Sequence, residues 1–113
     1  MSQVGNELSS KLSQSRFQAA LGSTFDVLPG NGAPAVSLKL VEVSIRRAPK
    51  SYEQFAALFE GPHDPLLAQA TYTLSHPGFG TMSLFVVPVG RSAHGVSYEA
   101  CVVRRVSENE PGD

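Results

Sequence analysis

Two alternating runs, "AQATYTLSH" and "TMSLFVVPV", lie on either side of the turn-rich "PGFG" and constrain this chain more than any other feature. In the first, Ala70, Tyr72, Leu74 and His76 alternate with Thr71, Thr73 and Ser75, so one strand face is mostly apolar and the other carries hydroxyls. In the second, Met82, Leu84 and Val86 occupy one face and Phe85, Val87 and Val89 the other. Pro77, Gly78 and Gly80 supply the turn, and the whole predicts a β-hairpin. Pro88 has no N–H to give to a ladder, which places it at a strand end or edge.

The remaining segments extend this pattern. "TFDVL" reads as a short strand stopped by "PGNGAP". In "AVSLKLVEVSIRR" the apolar set is Val36, Leu38, Leu40 and then Val41, Val43, Ile45, and the parity change predicts a β-bulge or a strand covered on both faces. "YEQFAALFEGP" fits a helix through Phe55, Leu58 and Phe59 and a strand through Phe55, Ala57 and Phe59; its length and Gly-Pro end favour strand. "VSYEACVVRRV" supplies a last strand with Val96, Tyr98, Ala100 and Val102 on one side. The expected fold is mainly β, a small antiparallel barrel or sandwich of about six strands.

Leu8, Leu12, Ala19, Ala20 and Leu21 add a short N-terminal helix over about residues 6–21, ended by Gly22 and packed over an open end or edge. The length of 113 residues suits one domain, read here as residues 1–106. Residues 107–113, "SENEPGD", read as a disordered acidic tail.

A formal net charge of −1 argues against a general nucleic-acid or membrane-surface binder, since both concentrate positive charge on one face. The opening "MSQVGNELSSKLSQS" has neither the basic start nor the apolar stretch of a signal peptide, and the expectation is a soluble cytoplasmic protein. Cys101, the single cysteine, cannot form an internal disulfide and is expected as a buried strand thiol.

Three histidines, His63, His76 and His94, with Asp64 and Glu99, offer metal-ligand chemistry. His63 and His94 fall on alternate turns, whereas the turn holding His76 should emerge at the other end, so no metal or other cofactor is expected. The serines lack a Gly-x-Ser-x-Gly elbow and the glycines lack a phosphate-cradle context, so no catalytic residue is assigned. The best polar pair is His76 with Glu99, which as an acid/base couple could act on a small ligand; the favoured reading has His76 bonding a backbone carbonyl to order the turn. Tyr72 and Tyr98 complete the candidate ligand or partner residues. Arg46, Arg47, Lys50, Arg104 and Arg105 read as solvated strand ends, because aromatic residues do not interleave with them.

From Phe17 to Val103 the chain resembles an uncharacterised bacterial domain family of unknown function, through "FQAALGSTFDV", "LKLVEVS", "FAALFEGP", "LLAQATYTLSHPGFGTMSLFVVPVG" and "YEACV". The matched positions are Gly61, Pro62, Gln69, Tyr72, His76, Gly80, Pro88, Gly90, Tyr98 and Glu99, whereas His63 and His94 have no counterpart. The resemblance implies a shared scaffold more than a shared reaction, and the family has no established enzymatic activity, cofactor or catalytic residue to lend. It also implies small accessory proteins met near proteins resembling phage-tail collar or tail-fibre components.

The function expected is therefore a non-enzymatic interaction or assembly module with a protein partner, accessory to a phage-tail-like or surface-fibre system. The alternative is a small-ligand-binding barrel or minor enzyme using His76 and Glu99, its cavity lined by Phe55, Phe59, Tyr72, Phe85 and Tyr98.

Overall fold

A computed structural model describes residues 12–30 and 33–105. Helix α1 (Gln14–Ala19) is followed by strands β1 (Thr24–Val27), β2 (Val36–Arg46), β3 (Tyr52–Gly61), β4 (Ala70–His76), β5 (Gly80–Ser92) and β6 (Gly95–Arg105). The strands close into one antiparallel ring in the order β1-β2-β3-β6-β5-β4. Segment 52–61 is a strand, as its length and Gly-Pro end favour. Among the described residues no helix is long and apolar enough to cross a membrane.

Alternation sorts the side chains as a closed ring requires. Leu38, Phe55, Phe59, Leu74, Val86 and Tyr98 are almost fully buried inside it. Phe85, Val89 and Val103 project outward and stay more than half exposed. Ring closure leaves no room for every apolar residue: Ile45, at the far end of β2, is 72% exposed. The parity change in β2 is a register shift between Leu40 and Glu42, with Val41 as the inserted residue. Of the second apolar set, only Val43 packs against the core, while Val41 and Ile45 remain exposed.

Strand β5 changes partner along its length. Gly80–Val86 pair with β4, and Val87–Ser92 pair with β6. Pro88 sits two residues beyond the last β4 pair, where β5 has one strand neighbour, and the β5–β6 register shifts between Pro88 and Gly90. At the other seam β1 and β4 share two register pairs, Asp26 with Ser75 and Val27 with Leu74. The β5–β6 turn is tight: a Cβ on Gly95, at φ +153°, would lie 2.1 Å from the Gly61 carbonyl oxygen.

The helix differs from its expected form. Its described part covers six residues, and residues 6–11 lie outside the description, as does the expected tail at 107–113. Ser13 caps it by accepting from the Arg16 N–H at 3.3 Å, which makes Gln14 the first helical residue. Gly22 lies two residues past the C-cap at φ +86°, and its N–H donates to the Leu40 carbonyl at 2.8 Å. The buried helical residue is Phe17, flanked by half-buried Leu12 and Ala20, whereas Ala19 and Leu21 are exposed. Phe17 enters the end of the ring and meets Phe25, Phe55 and Phe79 with centroid separations of 6.0, 5.2 and 5.0 Å.

Cys101 is also corrected: it is exposed. Its register partner is Ala56, and its neighbours Ala100 and Val102 are the buried ones. Strand alternation therefore turns the thiol to the outer face.

Candidate functional site

His76 ends β4 on the same face as Tyr72 and Leu74, where its ring lies against two of the aromatic rings gathered around Phe17. It packs on Phe25 at 4.4 Å and meets Phe79 edge-on at 5.2 Å. Nδ1 accepts the Gly78 backbone N–H at 2.9 Å. An amide N–H can only donate, so Nδ1 carries no proton and Nε2 does. Nε2 lies 2.9 Å from Ser23 Oγ and donates to it; the Ser23 hydroxyl in turn donates to the Ala20 carbonyl at the end of α1. The turn-ordering bond is thus made by a ring acceptor to an amide rather than by a ring donor to a carbonyl.

That proton arrangement has a chemical meaning. A base-activated serine donates its hydroxyl proton to an unprotonated ring nitrogen. Here the ring nitrogen facing Ser23 holds the proton and the hydroxyl points its own at a carbonyl. The cluster braces the β4–β5 turn against the junction of α1 and β1. Arg16 reinforces it, donating from Nη2 to the Gly78 carbonyl at 3.0 Å while its guanidinium lies 5.3 Å from the Phe79 ring centroid.

Glu99 belongs to another part of the ring. On the outer face it accepts from Arg46 Nη2 at 3.2 Å, and the Cys101 thiol lies 3.9 Å from its other oxygen. The Arg46–Glu99 pair joins β2 to β6 across β3, and outward-facing Ala56 between them is left 3% exposed. His76 and Glu99 are engaged by different partners and form no couple.

The tyrosines serve the segment ahead of β4. Buried Tyr98 accepts the Leu67 N–H at its hydroxyl at 3.0 Å, and the Tyr72 hydroxyl donates to the Ala68 carbonyl at 2.6 Å. The five aromatics expected to line a cavity separate: Phe55, Phe59 and Tyr98 fill the core, and Phe85 is 51% exposed. Of the five, Tyr72 alone lines an open cavity of about 370 Å³, which lies between Leu28, Pro29, Gly30 and Ala33 on one side and residues 70–73 of β4 on the other.

His63 and His94 meet at Ser92: His63 Nε2 donates to its carbonyl at 2.6 Å, and the His94 backbone N–H donates to its hydroxyl at 3.1 Å. His94 lies in the β5–β6 turn, and His63 reaches it from the β3–β4 connection, at the opposite end of β5 from His76. Among the described residues no group of three or more metal-ligating side chains forms.

The cations do gather. Arg46 ends β2, Arg47 and Lys50 follow in the β2–β3 turn, and the register sets Tyr52 opposite Arg105 and Glu53 opposite Arg104. Glu53 accepts from Arg104 Nε at 2.9 Å and from the Gln14 N–H at 2.7 Å, which ties the first turn of α1 to β3 and β6. The residues that sequence reasoning passed over, Arg16, Phe17, Ser23 and Glu53, are those that join elements distant in the chain. The turn signal at Gly22 marked the neighbourhood of Arg16, Phe17 and Ser23, and nothing singled out Glu53.

No curated protein and no solved structure matches the chain. Comparison with protein families matches residues 12–102 to the family described as Domain of unknown function (DUF6916).

Proposed function

We propose, for a chain that belongs to the DUF6916 domain family, a non-enzymatic interaction or assembly module. The observation that carries this reading is the outer surface of the ring, where Phe85, Val89 and Val103 stay more than half exposed on strands whose inner faces are filled. Large apolar side chains held outward on rigid strands are suited to packing against another protein. The polar candidates support the same reading, because His76, Tyr72 and Tyr98 spend their hydrogen bonds on the chain's own backbone and on Ser23. The setting proposed is the cytoplasm of a bacterium, as an accessory to a phage-tail-like or surface-fibre assembly.

The test is affinity purification of the full chain from its native cells, together with sedimentation of the pure protein. A defined protein partner at fixed stoichiometry is expected. A strictly monomeric protein that recovers no partner overturns the proposal.

A further inference from the structure

From the open edge of β6 and the charges beside it we infer that this end of the ring takes an acidic, extended peptide segment of a partner protein as an added strand. The inference rests on the interaction-module reading above and names the partner's chemistry. Strand β6 pairs with β3 from Val96 to Arg105, but with β5 only as far as Glu99. From Ala100 to Arg105 its other edge has no strand neighbour among the described residues, since its pairing with β5 ends at Val87. Such an edge presents backbone donors and acceptors at strand spacing, which is what an extended peptide pairs with.

The side chains along that edge choose the peptide. Val103 and Arg105 share the outer face, two residues apart, with Val103 58% exposed. Tyr52, opposite Arg105, is also exposed, and Arg47 and Lys50 stand in the adjoining turn. Five of the chain's nine cations lie in this region. The two ion pairs among the described residues engage Arg46 and Arg104, so Arg47, Lys50 and Arg105 have no described carboxylate beside them. A strand laid against β6 therefore meets a positive charge and an apolar side chain on one face, and it matches them with an acidic and an apolar residue at positions i and i+2.

Nucleic acid fits this surface less well. The three cations without a described carboxylate neutralise few phosphates, and Tyr52 alone is no stacking platform. A sugar-phosphate backbone also makes no use of a strand edge.

A fluorescent heptapeptide, Thr-Thr-Glu-Thr-Val-Thr-Thr, provides the probe, and the amide spectrum of the full chain provides the readout. Shifts at residues 100–105 and 46–52 are expected by about 1 mM peptide. Affinity should fall about tenfold with Arg105→Glu and recover with Arg105→Lys. Removing the peptide's amide protons by N-methylation along one edge should abolish binding, and along the other edge should leave it intact. The inference fails if the same residues reordered as Thr-Thr-Glu-Val-Thr-Thr-Thr bind equally well, if N-methylation has no effect on either edge, or if an oligothymidine binds in the peptide's place. A native partner retained in full by Arg105→Glu but lost on Phe85→Ser would also sink it, while leaving the interaction-module reading standing.

Discussion

Nε2 of His76 lies 2.9 Å from Oγ of Ser23, a residue 53 positions earlier in the chain. This contact ties the tip of the central hairpin to the junction between α1 and β1. It uses a ring whose other nitrogen is already bonded to Gly78.

Replacing His76 with Ala removes both hydrogen bonds and the packing on Phe25, and should cost about 1–3 kcal/mol of folding stability by urea titration. Ser23→Ala should cost less than His76→Ala, because it leaves the Gly78 bond in place. A His76→Ala protein as stable as wild type would refute the bracing role.

Truncating Phe17 to Ala empties a fully buried site that three aromatic rings surround. The expected loss is about 3–5 kcal/mol. Loosened amide protection should be greatest at residues lining that end of the ring, as hydrogen exchange would report.

The two ion pairs should differ in worth. Arg104 and Glu53 are 5% and 21% exposed in their side chains, and Glu53 also holds the Gln14 N–H. Glu53→Ala should cost about 1–3 kcal/mol, because it removes the Arg104 Nε bond and the Gln14 N–H bond together. Arg46 and Glu99 are 44% and 33% exposed, and breaking their pair should cost under about 1 kcal/mol. Double-mutant cycles at both pairs check this, and equal coupling energies would contradict it.

Gly95→Ala places a methyl group on the Gly61 carbonyl in a backbone region that side chains rarely adopt. A loss of more than about 2 kcal/mol is expected. Gly22→Ala meets no atom within 4 Å and bears only the conformational penalty at φ +86°, so it should cost less.

Cys101 should react with a thiol reagent in the folded protein at a rate near that of the denatured chain, since it is exposed on the outer face. Protection that disappears only on unfolding would place the thiol inside.

What could be read in advance follows from the range of the interactions concerned. Alternation is local, so "ATYTLSH" and "TMSLFVVPV" revealed the hairpin and its inward set, and the parity slip after Leu40 offered a bulge as one of two readings, which the register shift selects. Ring closure is not local. No pattern within "SRFQAALG" distinguishes Phe17 from Ala19 as the buried residue, because six helical residues are too few for a period to emerge. Cys101 follows the same logic: Ala100 and Val102 fixed the inner face, and alternation then required the thiol to point outward despite its apolar character. The brace at His76 was legible as a turn histidine. Its partner Ser23 was not, because nothing near Ser23 refers to a residue so far along the chain.

The two-pair seam between β1 and β4 makes the ring a clasp rather than a uniform hoop. Each of the other strand junctions has four or more register pairs, so release begins where the clasp is thinnest. Opened there, the molecule unrolls into a single six-stranded ribbon with β1 and β4 as its ends. Sub-global hydrogen exchange should therefore show residues 24–28 and 73–75 exchanging through a lower-energy excursion than the β3–β6 junction, whose ten pairs form the spine of that ribbon.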